Sequence, residues 1–158
     1  MREAVSTPVR HRSEMIAAVL DALAQCRHRA DMLDACFDDW PLESAEAEKA
    51  VRALLGRGAQ IRVLLASSHW LERHASRLRR LQRAHPSQVS IRQLPDGLRM
   101  SDSLLLVDGQ HMMRRPHRDA MRGTYVQASP SRCDPYCARF EAAWQESSDC
   151  LPATTLGL

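Results

Sequence analysis

The sequence is poor in aromatic residues, has no long apolar run and has little net charge, and each shortage excludes a class of function. Phe, Trp and Tyr together make up 4% of the 158 residues, so the chain offers no series of rings for stacking on nucleic-acid bases. Its apolar runs are far shorter than the roughly 20 residues of a membrane-spanning helix. Residues 1–13 are polar and lack the apolar centre of a signal peptide. We therefore expect a cytoplasmic protein without a transmembrane segment.

The cysteines and histidines form no pattern typical of a disulfide-linked or metal-binding protein. Five cysteines in a chain without an export signal predict free thiols. Cys133 and Cys137 lie one turn apart on the apolar stripe of a predicted helix, where core packing is favoured over zinc binding. His111, His117 and Asp119 match no closed set of metal ligands, and the arginines around them would repel a cation. We expect no metal and no other cofactor.

The net charge of +3 hides an uneven distribution of charged residues. Residues 1–68 carry 9 basic and 10 acidic side chains, residues 69–132 carry 12 and 5, and residues 133–158 carry 1 and 4. The middle of the chain is therefore a basic block. Such an excess of positive charge attracts anions.

Hydrophobic periodicity and capping residues predict alternating helices and strands. Ser44 is a suitable N-cap for a helix that the glycines at 56 and 58 would end. Leu104 to Val107 is an unbroken apolar run, as expected for a strand buried on both faces. Helices are predicted over 12–27, after 44, over 69–84 and from 129 onward, and strands over 30–37, 61–65, 89–91, 104–107, 111–115 and 124–127.

The order of these elements predicts a single α/β domain. An early alternation of strands and helices followed by consecutive strands implies a mixed central sheet with helices on both faces. We expect a loose N-terminal arm over residues 1–11, the α/β domain over 12–148 and a mobile tail over 149–158.

The predicted strand before Asp108 carries a motif-like pattern. Ser101, Ser103 and Asp108, followed by Gly109, have the spacing of the pattern His-x-Lys-x4-Asp-Gly. This segment resembles the signature strand of the phospholipase D superfamily, with serine at the histidine and lysine positions. The resemblance covers residues 12–148. Further features resemble that superfamily or an uncharacterised bacterial domain family related to it: the strand within Gly58 to Ala66, Trp40-Pro41-Leu42, Arg115-Pro116 and Phe140-x3-Trp144.

The resemblance implies a phospholipase D-like half that has lost its catalytic groups. In active members the histidine attacks phosphorus and lysines hold the phosphate. Ser101 supplies no imidazole and Ser103 no positive charge, so we expect a non-catalytic protein in which Ser101, Ser103 and Asp108 are vestigial motif positions. One alternative is a divergent phosphodiesterase or phosphatidyltransferase with relocated catalytic groups. Another is a plain buried strand that ends in an Asp-Gly turn, with no family relation.

Arginines of the basic block are the candidate anion-binding residues. Some lie on the predicted third helix, and others flank the motif-like segment, where they could replace the lost lysine. Alternatively, they form a solvated surface that is paired with the acidic residues between Asp31 and Glu46. The partner would be a polyanion or a phosphate group. A homodimer is compatible with the resemblance, because superfamily members combine two motifs from one chain or from a dimer. The candidates are Arg77, Arg80, Arg83, Arg99, Arg114 and Arg115.

Overall fold

In the computed structural model, which describes residues 3–152, one eight-stranded sheet lies between two layers of helices. The strands are β1 (Val5–Val9), β2 (Arg29–Asp34), β3 (Gln60–Leu65), β4 (Val89–Gln93), β5 (Ser103–Val107), β6 (His111–Arg115), β7 (Gly123–Gln127) and β8 (Ser148–Asp149). The helices are α1 (Arg12–Gln25), α2 (Ala45–Gly56), α3 (His69–His74), α4 (Ser76–Ala84) and α5 (Pro130–Glu146). None of these helices is long and apolar enough to cross a membrane.

The sheet is mixed, and its strand order is β1-β7-β6-β5-β2-β3-β4-β8. Strands β2, β3 and β4 are parallel, and helical crossovers connect them. Every other neighbouring pair is antiparallel. The predicted α/β class with a mixed central sheet is confirmed, and β5 lies in the interior between β2 and β6, as its apolar run predicts.

The side chains of β5 contribute to two cores, one on each face of the sheet. Leu105 and Val107 pack on the face covered by α1, α2 and α4. Leu104 and Leu106 pack on the other face against α5. All five residues of β5 are buried. The prediction that helices cover both faces is therefore confirmed, and the α5 layer includes Cys133, whose thiol is free.

Both edges of the sheet are formed by segments that the sequence predicts to be irregular. Val5–Val9, within the expected loose arm, pairs antiparallel with β7 and buries Val9. The proline in this strand fits an edge position, where one missing N–H is tolerated. At the other edge, Ser148–Asp149 pairs with β4, and the Cys150 N–H donates to the Ile91 carbonyl at 3.2 Å. The expected tail therefore begins as a strand, and residues 153–158 lie outside the described part of the chain.

The predicted third helix over 69–84 is two helices that meet at Ala75. The Glu43 carboxylate, from the loop before α2, accepts hydrogen bonds from the Ser76 hydroxyl at 2.9 Å and from the Arg77 N–H at 3.3 Å. A carboxylate at these first N–H groups stabilises a new helix start. The prediction of one continuous helix was wrong because Glu43 is more than 30 residues away in the sequence. By contrast, the predicted cap of α2 is confirmed, since the Ser44 hydroxyl accepts from the Ala47 N–H at 3.1 Å.

Candidate functional site

Three neighbouring strands each place a polar residue at the same end of the sheet, on the face covered by α1 and α2. Ser103 begins β5, Arg115 ends β6, and these two residues are directly paired across the strands. Asp34 ends β2. Because Leu33 pairs with Leu104, Asp34 lies level with Ser103. Because side chains alternate along a strand, all three point to the same face as Leu105. The sheet register thus brings a carboxylate, a hydroxyl and a guanidinium together at the second serine of the motif-like segment.

The three side chains form a closed hydrogen-bonded cluster, named here the Asp34–Ser103–Arg115 cluster. The Ser103 hydroxyl donates to the Asp34 carboxylate. Nη2 of Arg115 donates to Ser103 Oγ at 3.2 Å and lies 3.9 Å from Asp34 Oδ1. The same guanidinium donates to Asp39 Oδ2 at 3.3 Å. Ser103 is fully buried, and Asp34 and Arg115 are each 1% exposed, so this position is filled by side chains.

Asp34 also holds the loop that follows β2. Its second carboxylate oxygen accepts hydrogen bonds from the Phe37 N–H at 2.7 Å and from the Cys36 N–H at 3.2 Å. Phe37 has a positive φ of 67°, and its ring packs edge-on against Trp40, with the centroids 4.9 Å apart. The loop in turn presents Asp39 to Arg115. The cluster therefore links the end of the sheet to the Trp-Pro-Leu segment.

Ser101 lies outside this cluster and is exposed. Its backbone carbonyl accepts a hydrogen bond from the Arg118 N–H at 3.0 Å. Within residues 3–152, no histidine or carboxylate forms a hydrogen bond with the Ser101 hydroxyl. A serine needs such a base to become a nucleophile near neutral pH. His111 begins β6 and His117 lies two residues beyond the other end of that strand, so these histidines do not converge on one site.

Asp108 lies just beyond the other end of β5, where its side chain binds backbone groups of a neighbouring loop. Its carboxylate accepts hydrogen bonds from the backbone N–H groups of Arg27 and His28, both at 2.8 Å, and of Arg29 at 2.9 Å. Burial alone would raise the pKa of Asp108, but these hydrogen bonds outweigh it and lower the pKa below its usual value. Asp108 therefore fastens the loop between α1 and β2 to the turn after β5. A depression of about 480 Å³ lies beside it, lined in part by Arg57 and His111.

The vestigial motif positions are thus separated, and the candidate arginines are separated as well. Arg115 is buried in the cluster, whereas Arg114 points to the opposite face, 4.8 Å above the Tyr136 ring and 3.5 Å from Asp102. Arg99 is exposed in the loop between β4 and β5. The remaining candidates lie on α4. The structure brings no more than three of the six arginines onto one surface.

Helix α4 carries the largest group of arginines without carboxylate partners. Arg77 is paired with Glu48 at 2.5 Å and is half-buried, so its charge is compensated. Arg80 and Arg83 are exposed, as is Arg73 of the adjacent α3, and none of the three forms an ion pair within residues 3–152. Arg79 lies beside them. We name Arg73, Arg79, Arg80 and Arg83 the α4 arginine surface.

The candidate set omits Arg73 and Arg79 of this surface, and Arg79 is the one whose side chain is half-buried. Its Nη2 donates to the Pro152 carbonyl at 3.4 Å, and its Nη1 is buried without a hydrogen-bond partner among residues 3–152. Burial lowers the pKa of Arg79, and the charge of Arg83 lowers it further. The spacing of these two arginines, four residues apart, is the sequence pattern that could have identified the pair, because such residues are neighbours on a helix.

Asp34, Cys36 and Asp38 each offer a ligand atom within 4.8 Å of the others. A guanidinium occupies their open side: Nη2 of Arg118 lies 2.5 Å from Asp38 Oδ1 and 3.4 Å from Cys36 Sγ. Burial raises the pKa of the Cys36 thiol, which further disfavours a thiolate ligand. We therefore assign this group to the ion-pair network of the loop after β2.

The fold is that of the phospholipase D family. Nuc from Salmonella typhimurium, a member of that family, is 13% identical, with a TM-score of 0.69, 94% of this chain covered and 99% of Nuc. TrmBL2, an archaeal chromatin protein described as showing a novel mode of DNA binding, is 15% identical over 92% of this chain, with a TM-score of 0.68. Phosphatidylserine synthase from Haemophilus influenzae Rd KW20 is 13% identical over 98%, with a TM-score of 0.64.

The chain spans 54% of the TrmBL2 chain and 42% of the phosphatidylserine synthase chain. No curated protein sequence matches it. At the level of the sequence family, the chain belongs to the family described as Domain of unknown function (DUF7931), which matches residues 11–156. The predicted phospholipase D-like fold is confirmed.

Proposed function

We propose that this chain is a non-catalytic phospholipase D-like domain that binds a phosphate-containing polyanion through the α4 arginine surface. The observation that carries the first part is the buried Asp34–Ser103–Arg115 cluster. It occupies the position where the family pattern has a phosphate-holding lysine. The buried hydroxyl donates to a carboxylate, and the guanidinium is neutralised by two carboxylates, so neither group is available to a phosphodiester.

Binding away from the motif is supported by the distribution of charge. The α4 arginine surface has four guanidinium groups, and its neighbour Arg77 already has the carboxylates of α2 and the loop before it. Guanidinium groups favour phosphate, which they can contact with two parallel hydrogen bonds. The names of the structural neighbours agree with a phosphate-containing partner: one is described as showing a novel mode of DNA binding, one as a phospholipase D family member and one as a phosphatidylserine synthase.

The test of the first part is a hydrolysis assay with bis(p-nitrophenyl) phosphate, a DNA plasmid and phosphatidylcholine as substrates. We expect no turnover by the natural chain, and none by the variant Ser101→His/Ser103→Lys, because its second motif and its supporting residues are missing. Turnover that disappears in Ser101→Ala would overturn the proposal. It would favour the divergent phosphodiesterase or phosphatidyltransferase instead.

The test of the second part is a titration of the chain with heparin, used as a generic polyanion, at low and at physiological salt. Binding should weaken steeply with salt, since counterion release dominates such contacts. A chain that does not bind heparin at low salt would contradict polyanion binding and leave the arginines as a solvated surface.

A further inference from the structure

We propose that the polyanion is the phosphate backbone of a nucleic-acid duplex, and that Arg79 and Arg83 together bind one of its phosphates. This inference rests on the proposed function and assigns its partner. It depends on three features of the α4 arginine surface: two adjacent guanidinium groups that form no ion pair within residues 3–152, further arginines on α4 and the adjacent α3, and the lack of fully exposed rings and large apolar side chains on these two helices.

Arg79 and Arg83 are held close together although their charges repel. They are one helical turn apart, and the charge of Arg83 lowers the pKa of Arg79. The carbonyl of Pro152 fixes one nitrogen of Arg79, whose side chain remains partly exposed. A phosphate that contacts Arg83 and the exposed part of Arg79 would screen the repulsion between the two guanidinium groups.

The remaining arginines extend this pair along the chain. Arg80 is exposed beside Arg83, and Arg73 lies one short helix earlier. Within α4, at 1.5 Å per residue, Arg80 and Arg83 are about 4.5 Å apart along the helix axis. One strand of a duplex carries a phosphate about every 3.4 Å along its axis, so Arg80 can contact a phosphate next to the one that Arg83 binds.

The surroundings favour a duplex over a single strand or a membrane. Single strands are bound by stacking bases on exposed rings, and α4 contains no aromatic residue. Trp70 of α3 is half-buried and packs against His74 with the ring centroids 5.4 Å apart. Membrane association combines basic side chains with inserted apolar ones. The large apolar residues that are exposed within residues 3–152 are Val5 in β1 and Leu98 in the loop after β4, and neither lies on α3 or α4.

The experiment is a fluorescence-anisotropy titration of a short fluorescein-labelled DNA duplex over a series of salt concentrations. The same chain is titrated with oligothymidine and with vesicles of phosphatidylglycerol and phosphatidylcholine. The variant is Arg79→Gln/Arg83→Gln, and Arg83→Gln alone serves as a second variant because Arg83 is exposed. The matched control is Arg132→Gln, which removes an exposed arginine from α5 on the opposite face of the sheet. Thermal unfolding of each variant checks that the fold is intact.

We expect the duplex to bind more tightly than oligothymidine and the vesicles to bind weakest. The slope of log affinity against log salt should fall by about 0.9 in the double variant, which loses one phosphate contact, and should not change in Arg132→Gln. Preference for oligothymidine or for vesicles would overturn the inference, as would a salt slope that the double variant and Arg83→Gln leave unchanged. In each of these cases the natural chain still binds an anion, so the proposed function would stand and only this inference would fail. The proposed function itself fails if the chain binds no polyanion at all.

Discussion

The guanidinium of Arg115 lies 3.2 Å from the hydroxyl of Ser103, so a cation from β6 occupies the region where the family pattern has a lysine on β5. The difference between the two cations lies in their surroundings. Arg115 is 1% exposed and faces Asp34 and Asp39. The charge of Arg115 stabilises the protein by compensating these carboxylates. Its guanidinium has no exposed side that a substrate phosphate could contact.

Replacing Arg115 with methionine should destabilise the domain strongly. The substitution keeps much of the side-chain volume but leaves the buried Asp34 carboxylate without its cation, which typically costs about 3–5 kcal/mol. Urea denaturation followed by circular dichroism measures the free energy of unfolding. Arg52→Gln, which breaks the exposed pair with Glu48 on α2, is the control and should change the free energy of unfolding very little, because solvent screens such a pair. Equal effects for the two variants would contradict the structural role of Arg115.

A lysine at position 103 should partly replace the cation of Arg115. Alone, Ser103→Lys adds volume to a fully buried site and should destabilise by about 1–3 kcal/mol. In the Arg115→Met background the same change should restore stability, because the ammonium group can lie beside Asp34. A double-mutant cycle in urea measures this coupling, which we expect to exceed about 1 kcal/mol. Strictly additive effects would mean that the two positions do not share one charge site.

Leu106→Asp should unfold the domain. Leu106 is 2% exposed on an interior strand and packs under α5. Burial of an unpaired carboxylate costs several kcal/mol, which is comparable to the total stability of a small domain. The measurement is the thermal transition and the elution volume of the purified variant. Leu98→Asp, at an exposed leucine, is the control and should melt like the natural chain. A cooperative Leu106→Asp protein would show that β5 is not core.

Asp108 should make the free energy of unfolding decrease as the pH falls in the acidic range. Its folded pKa is lowered, so its stabilising contribution is fully present above the unfolded pKa of about 3.9 and is lost as the pH falls through the folded value. Asp108→Asn should therefore be less stable at pH 7, by about 1–3 kcal/mol for weakened hydrogen bonds, and should lose less further stability below pH 4. Urea denaturation at several pH values measures both effects. Parallel pH profiles for the two proteins would contradict this role.

The sequence predicts the parts of the fold that depend on local patterns. The apolar run of β5, the Ser44 cap and the α5 stripe with Phe140 and Trp144 are confirmed because each depends on residues within one element. The motif-like spacing likewise identified Ser103 and Asp108 as positions of interest. Local patterns do not show which strand lies beside β5. For that reason the sequence gives no indication that Asp34, almost 70 residues earlier, accepts the Ser103 hydroxyl.

Two further features of the site depend on long-range contacts. Arg115 was a candidate for binding an anion, but its burial follows from the register of β6 against β5 and from the loop that presents Asp39. Arg79 was not among the candidate site residues, because its environment depends on a hydrogen bond to the Pro152 carbonyl, more than 70 residues later in the sequence. In both cases the residue type indicates a charge, and only the fold determines what that charge faces.

The placement of β1 and β8 at opposite edges has a consequence for the order of folding. Val5 pairs with Gln127, 122 positions later in the chain, whereas β5 and β6 are joined by a tight turn. Contacts between residues so distant in sequence form slowly, because a large loop must close first. We therefore expect the hairpin and the parallel strands to assemble before the two outer ladders. We also expect the outer ladders to open first in the native state, so that their amide hydrogens exchange with solvent fastest.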